Sequence, residues 1–121
     1  PSTGTARVHI EQAEASTAAA LARFDGVVLN ALRETETALT AYARELDRNA
    51  ALKAARDQSA LASQQAARLY RFGRTDFLTT LDAERTLASA QAAVAASDAK
   101  LASDQVALFL ALGGGWEKAG E

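Results

Sequence analysis

The chain of 121 residues contains no cysteine and no methionine, and its one proline is Pro1. Without cysteine there is no disulfide framework, no thiolate zinc site and no thiol nucleophile. Without an initiator methionine, the chain is expected to be a processed product or an excised piece of something longer. Proline is absent from the interior, so only Gly26 and Gly73 stand against continuous helix from Thr5 to Leu112. Valine and isoleucine are sparse, and no period-two run points to a strand. The net charge is -2 with both signs interleaved. No basic stripe is available for phosphate, which argues against nucleic acid as a partner. None of these residues reads as a signal peptide, and the longest strongly apolar run, ALFLAL at 107–112, is far too short to cross a bilayer.

What remains is a helix-forming composition. Alanine, the strongest helix former, makes up about a quarter of the chain. Val28, Leu32, Thr35, Leu39, Tyr42 and Leu46 step by four and three, the spacing of a heptad seam. Beyond them Leu52, Leu61 and Leu69 stand among alanines. The pattern predicts one helix over about residues 6–70, roughly 95–100 Å long at 1.5 Å per residue, a length suited to a coiled-coil assembly. A second helix is predicted over about 76–112. Its seam is Leu87, Val94, Leu101 and Leu108, seven apart, with Ala90, Ser97 and Asp104 three beyond and Leu112 following. One large and one small residue per heptad permits close approach of the two arms. Gly113, Gly114 and Gly115 are expected to stop this helix, leaving 113–121 as a Gly-rich tail in which Trp116 can dock on a neighbour. Thr3 or Thr5 can cap the first helix. The expected fold is all-α: a long antiparallel helical hairpin with arms of unequal length and its tip turn at 71–75.

No catalytic set is legible. His9 is the only histidine and has no cysteine or carboxylate cluster beside it. Glu11, Glu14, Glu34, Glu36, Asp57, Asp98 and Asp104 are spread along both arms as solvated faces with some support from neighbouring cations. Metal-ligand spacing, a phosphate-binding loop and a nucleophile–base pair are all missing. An enzyme is not expected, nor a cofactor or metal.

The turn is the informative stretch. In RLYRFGRTDFLTTLDAERTL, at 68–87, Gly73 can adopt positive φ and reverse the chain, and Thr75 or Asp76 can cap the next helix. A structural turn requires no more. Yet Tyr70, Phe72, Phe77 and Leu78 crowd the tip together with Arg68, Arg71 and Arg74, where a hairpin has least core to bury them. Aromatic and arginine side chains exposed together have the composition of a contact surface. The bland alternative is that Phe72 and Phe77 plug the hairpin end, and that Asp82 and Arg85, three apart on one face, form a weak surface pair.

The same residues carry a family resemblance. Tyr70, Arg71, Gly73, Phe77-Leu78-Thr79 and Leu81-Asp82-Ala83-Glu84-Arg85 resemble the second-repeat periplasmic tip of TolC/OprM-type outer membrane efflux factors, most of all the lipoprotein branch serving resistance-nodulation-division (RND) pumps. ALFLALGGGWE at 107–117 is similar to the family's C-terminal Leu-Gly-Gly-Gly-Trp signature. VLNALRETETAL at 28–39 resembles its Leu-x-Ala-Leu-Arg-Glu-Val-Glu segment, with Thr35 in place of the usual valine. The three segments occur in family order and span nearly the whole chain.

That resemblance implies a homotrimer with a β-barrel in the outer membrane and a helical barrel across the periplasm. This chain would be the last part of the second repeat, without the barrel strands or the first repeat, placed in the periplasm at the cell outer membrane. It implies a gate in which Leu78 is an apolar constriction, Asp82 and Arg85 belong to a charged ring, and Tyr70 and Arg71 join a closed-state hydrogen-bond network. Thr79 stands where some relatives carry a second acidic residue, a departure from a double acidic ring. It also implies that a periplasmic adaptor contacts the tip at Phe72, Gly73, Arg74, Thr75, Asp76 and Phe77, with an inner-membrane RND-type pump behind it. The rival reading is a stand-alone coiled-coil hairpin for interaction, such as an adaptor's own. With apolar residues Val8, Leu21, Phe24 and Val28 beyond the reach of the shorter arm, the isolated chain is expected to self-associate.

Overall fold

A computed structural model describes residues 2–119, with side chains over 3–114. Helix α1 runs Ser2–Arg71 and helix α2 runs Phe77–Ala119. Helix α1 starts at Ser2, ahead of Thr3 and Thr5, so neither precedes it as a cap. Gly26 is absorbed into α1, at about 1 kcal/mol relative to alanine. The predicted stop at Gly113–Gly115 is corrected: α2 continues through these glycines, where a Gly-rich tail was expected. A glycine ends a helix by taking left-handed φ, and among the described residues only Gly73 has positive φ. The side chain of Trp116 lies outside those described.

The chain divides into two compact units, Leu39–Val106 and Pro1–Ala38 with Ala107–Glu121. In the first, α1 and α2 pack antiparallel along a seam stepping by three and four on both sides. On α1 it comprises Tyr42, Glu45, Asn49, Leu52, Arg56, Ser59, Ser63 and Ala66, each buried or half-buried. On α2 it comprises Thr80, Ala83, Leu87, Ala90, Val94, Ser97, Leu101 and Asp104. The α2 stripe is the one its seven-residue spacing predicts. The α1 stripe is not: it takes Glu45, and leaves Leu39 and Leu46 exposed.

The centre of this seam is polar. Glu45 is 5% exposed, Asn49 6% and Ser97 0%. The Ser97 hydroxyl donates to Glu45 Oε1 at 2.7 Å and accepts from Asn49 Nδ2 at 3.1 Å. Asn49 Nδ2 also donates to Asp98 Oδ1 at 2.8 Å, and Arg48 Nη1 reaches Glu45 Oε1 at 2.9 Å. Nearer the unit's open end, Gln105 Nε2 donates to Tyr42 Oη at 3.0 Å. No buried polar side-chain atom among the described residues lacks a partner, as a low-dielectric seam requires.

In the second unit, Val27, Val28, Ala31, Thr35 and Ala38 of α1 and Leu108, Ala111 and Gly114 of α2 are half-buried. The Thr35 hydroxyl is turned back on its own helix, donating to the Ala31 carbonyl at 2.9 Å. Leu112, expected on the seam, is exposed. Residues 3–26 of α1 are all exposed.

Candidate functional site at the hairpin tip

The tip lies wholly within the Leu39–Val106 unit, and its shape follows from local chemistry. At the end of α1, Arg74 N donates to the Leu69 carbonyl at 2.8 Å and Gly73 N to the Tyr70 carbonyl at 3.0 Å. These are the paired bonds of a Schellman motif, with Gly73 at its left-handed position, φ 69°. A Cβ there would meet no atom within 4 Å. The demand for glycine is therefore conformational and not steric.

Asp76 caps α2. Its Oδ1 accepts from Thr79 N at 2.8 Å and from the Thr79 hydroxyl at 2.6 Å. Of the two capping candidates, Thr75 and Asp76, the carboxylate takes the role, because ionised oxygen accepts more strongly and suits the positive end of the helix. Thr80 anchors the turn from within: it is buried, with its hydroxyl 3.4 Å from the Ala66 carbonyl across the pair.

Around this frame the large side chains point outward. Phe72 is 74% exposed and Leu78 64%, and Tyr70, Phe77, Arg71 and Arg74 are exposed as well. Tyr70 and Phe77 meet edge to face, with centroids 5.8 Å apart. Neither phenylalanine plugs the hairpin end, since Thr80 and Ala66 already fill it. Arg68, Leu69, Phe72 and Arg74 line a shallow surface depression. Asp82 and Arg85 are both exposed and form no ion pair among the described residues. The structure thus gathers all the predicted tip residues at one end, and leaves Asp82 and Arg85 available to something other than each other.

Sequence reasoning missed the polar cluster at Glu45, Asn49, Ser97 and Asp98. The one signal available was Ser97 at a seam position, three beyond Val94. Hydrogen bonds from Ser97 first, and then from Arg48, hold the Glu45 carboxyl below its ordinary pKa against the opposing effect of burial. The Thr79 hydroxyl and then its N–H do the same for Asp76. Both folded values lie below the unfolded ones, so the stability these carboxylates supply is complete above about pH 4.5 and is lost as pH falls through the depressed values. Helicity followed by circular dichroism is expected to hold from pH 7 to 5, then weaken below about pH 4. Unchanged melting between pH 7 and pH 3 would count against both roles.

No described helix is long and apolar enough to cross a membrane, and no described cluster of His, Asp or Glu could hold a metal ion. Residues 2–114 match the family model described as outer membrane efflux protein. Over 113 residues the chain is 33% identical to nodulation protein T of Rhizobium leguminosarum bv. viciae, covering 93% of this chain and 23% of that protein. Over 115 residues it is 36% identical to the pyoverdine export outer membrane protein OpmQ of Pseudomonas putida, covering 94% and 24%. Among solved structures it is similar to the outer-membrane channel OprN, with a TM-score of 0.68 and 42% identity over 93% of this chain and 25% of that one. The chain spans about a quarter of the length of these relatives.

Proposed function

The chain belongs to the outer membrane efflux protein family, and on that premise we propose that it is the periplasmic helical part of the channel subunit of a tripartite efflux system. The family is one of transport and not of catalysis. The subunit works as a homotrimer in the outer membrane, a passive conduit energised by an inner-membrane RND-type pump through a periplasmic adaptor. The single observation carrying this reading is the tip: a hydrogen-bonded, capped turn whose aromatic, leucine and arginine side chains are presented outward.

In this reading Leu78, exposed in one hairpin, meets its copies on the channel axis, where apolar side chains block hydrated solutes. Asp82 and Arg85, each without an ion-pair partner among the described residues, pair with charges on neighbouring hairpins and latch the closed state; Tyr70 and Arg71 add hydrogen bonds. Phe72 to Phe77 form the surface the adaptor grips. In the full-length trimer reconstituted into planar bilayers, Asp82→Ala and Arg85→Ala are each expected to raise single-channel conductance several-fold, and Leu78→Ala to act the same way. Parental conductance in both charge variants would remove Asp82 and Arg85 from the gate.

A further inference from the structure

Helix α1 carries two candidate seams. One runs through Leu39, Tyr42, Leu46, Asn49 and Lys53; the other runs through Tyr42, Glu45, Asn49, Leu52 and Arg56. They share Tyr42 and Asn49, and a rotation of α1 by about 50° about its axis exchanges them, given roughly 100° per residue. Apolar content favours the first, which would bury Leu39 and Leu46 at the expense of Leu52. The structure uses the second: Leu39 is 52% exposed and Leu46 44%, while Glu45 is buried and Leu52 half-buried. Burial of apolar area does not account for that choice.

We propose that the Glu45–Ser97–Asn49–Asp98 cluster is a face selector, which fixes the rotation of α1 against α2 and keeps the Leu39–Leu46 stripe out of the pair. The Ser97 hydroxyl sits at the hub, fully buried, with Glu45 and Asn49 one turn apart on the opposite helix. Rotating α1 to bring Leu46 inward carries Glu45 away from Ser97 and leaves the buried Ser97 hydroxyl without its acceptor, while Asn49, common to both seams, stays in the pair. The directional hydrogen bond from the Ser97 hydroxyl to the Glu45 carboxylate penalises that rotation, whereas the leucines tolerate either arrangement. Such use of buried polar groups to specify one packing among several is a known device of coiled coils. The short turn limits sliding of the arms at the tip, but it does not fix axial rotation more than twenty residues away.

The test is hydroxyl-radical footprinting of the whole chain, read residue by residue by mass spectrometry, with no reporter substitution needed. In Glu45→Ala/Ser97→Ala, oxidation of Leu39 and Leu46 is expected to fall several-fold while that of Leu52 rises, with helicity retained. Glu45→Gln, whose amide oxygen still accepts from Ser97, should keep the parental footprint. Adding Leu39→Ser and Leu46→Ser to the double variant removes the rival seam and should return Leu52 to its parental protection. A parental footprint in the helical double variant overturns the proposal. So does simple unfolding of that variant with every leucine oxidised faster, which would make the cluster a general stabiliser and not a selector.

Discussion

Leucine in place of Ser97 is expected to lower the melting temperature of the chain by on the order of 10 °C or more, given overpacking of about 3 kcal/mol at a closed site. Ser97 is fully buried, between Val94 and Leu101 on its own stripe and against Glu45 and Asn49 of α1. Two additional side-chain heavy atoms have no room at a site without exposure, so the helices must separate. The substitution also deletes the hydroxyl that donates to Glu45 and accepts from Asn49. Among the described residues Glu45 then keeps its hydrogen bond from Arg48, whose side chain is 56% exposed and can follow the carboxylate into water. The two effects add in the same direction. Ser97→Ala separates them, because it removes the hydroxyl without adding volume, and a smaller fall is expected there. Thermal unfolding by circular dichroism measures both. A leucine variant melting within 2–3 °C of the parent, roughly half a kcal/mol by the usual conversion, would mean the arms are not closely packed at this level.

The second large effect is association of the 121-residue chain with itself. Every residue from 3 to 26 is exposed, and these include Val8, Ile10, Leu21 and Phe24. Ile10, Ala13, Thr17, Ala18 and Leu21, with Glu14, line one shallow apolar surface along this segment. A helix of about this length without a packed face is marginal in water. Either it frays or it covers its apolar side with a second copy, most simply antiparallel, so that each segment lies on the other molecule. Light scattering or sedimentation across a concentration series is expected to show a monomer–dimer equilibrium. Leu21→Lys with Phe24→Lys should restore the monomer and lower helicity together. A monomer at high concentration with its full helical signal would show that the segment stands alone and that no such contact forms.

The sequence alone determined the fold class, the turn and one of the two packing faces. Alanine-rich composition without internal proline leaves helix as the only regular structure, because propensity sums over many residues. Gly73 marks the reversal, since it is the one glycine followed by capping residues and flanked by aromatics. Leu87, Val94, Leu101 and Leu108 read correctly as a seam, since between 87 and 101 the rival stripe through Ala88, Ala92, Ala95 and Ala99 holds only alanine. The tip residues were legible as a surface for a related reason: a hairpin end offers too little core to bury two phenylalanines and a leucine.

What only the tertiary structure decided is which side of α1 faces its partner. Hydrophobic periodicity picked Val28, Leu32, Thr35, Leu39, Tyr42 and Leu46; Val28, Thr35 and Tyr42 are half-buried, but Leu32, Leu39 and Leu46 are exposed. Periodicity reports that a face is apolar; it does not report which neighbour covers it. The deciding contacts join Glu45 and Asn49 to Ser97 and Asp98, about fifty positions away along the chain. A hydrogen bond between residues so far apart leaves no local pattern in either segment. For the same reason Asp98 looked like one more solvated carboxylate, and the glycines at 113–115 like a helix stop. Glycine permits left-handed φ without imposing it, and at those three positions the chain kept helical geometry.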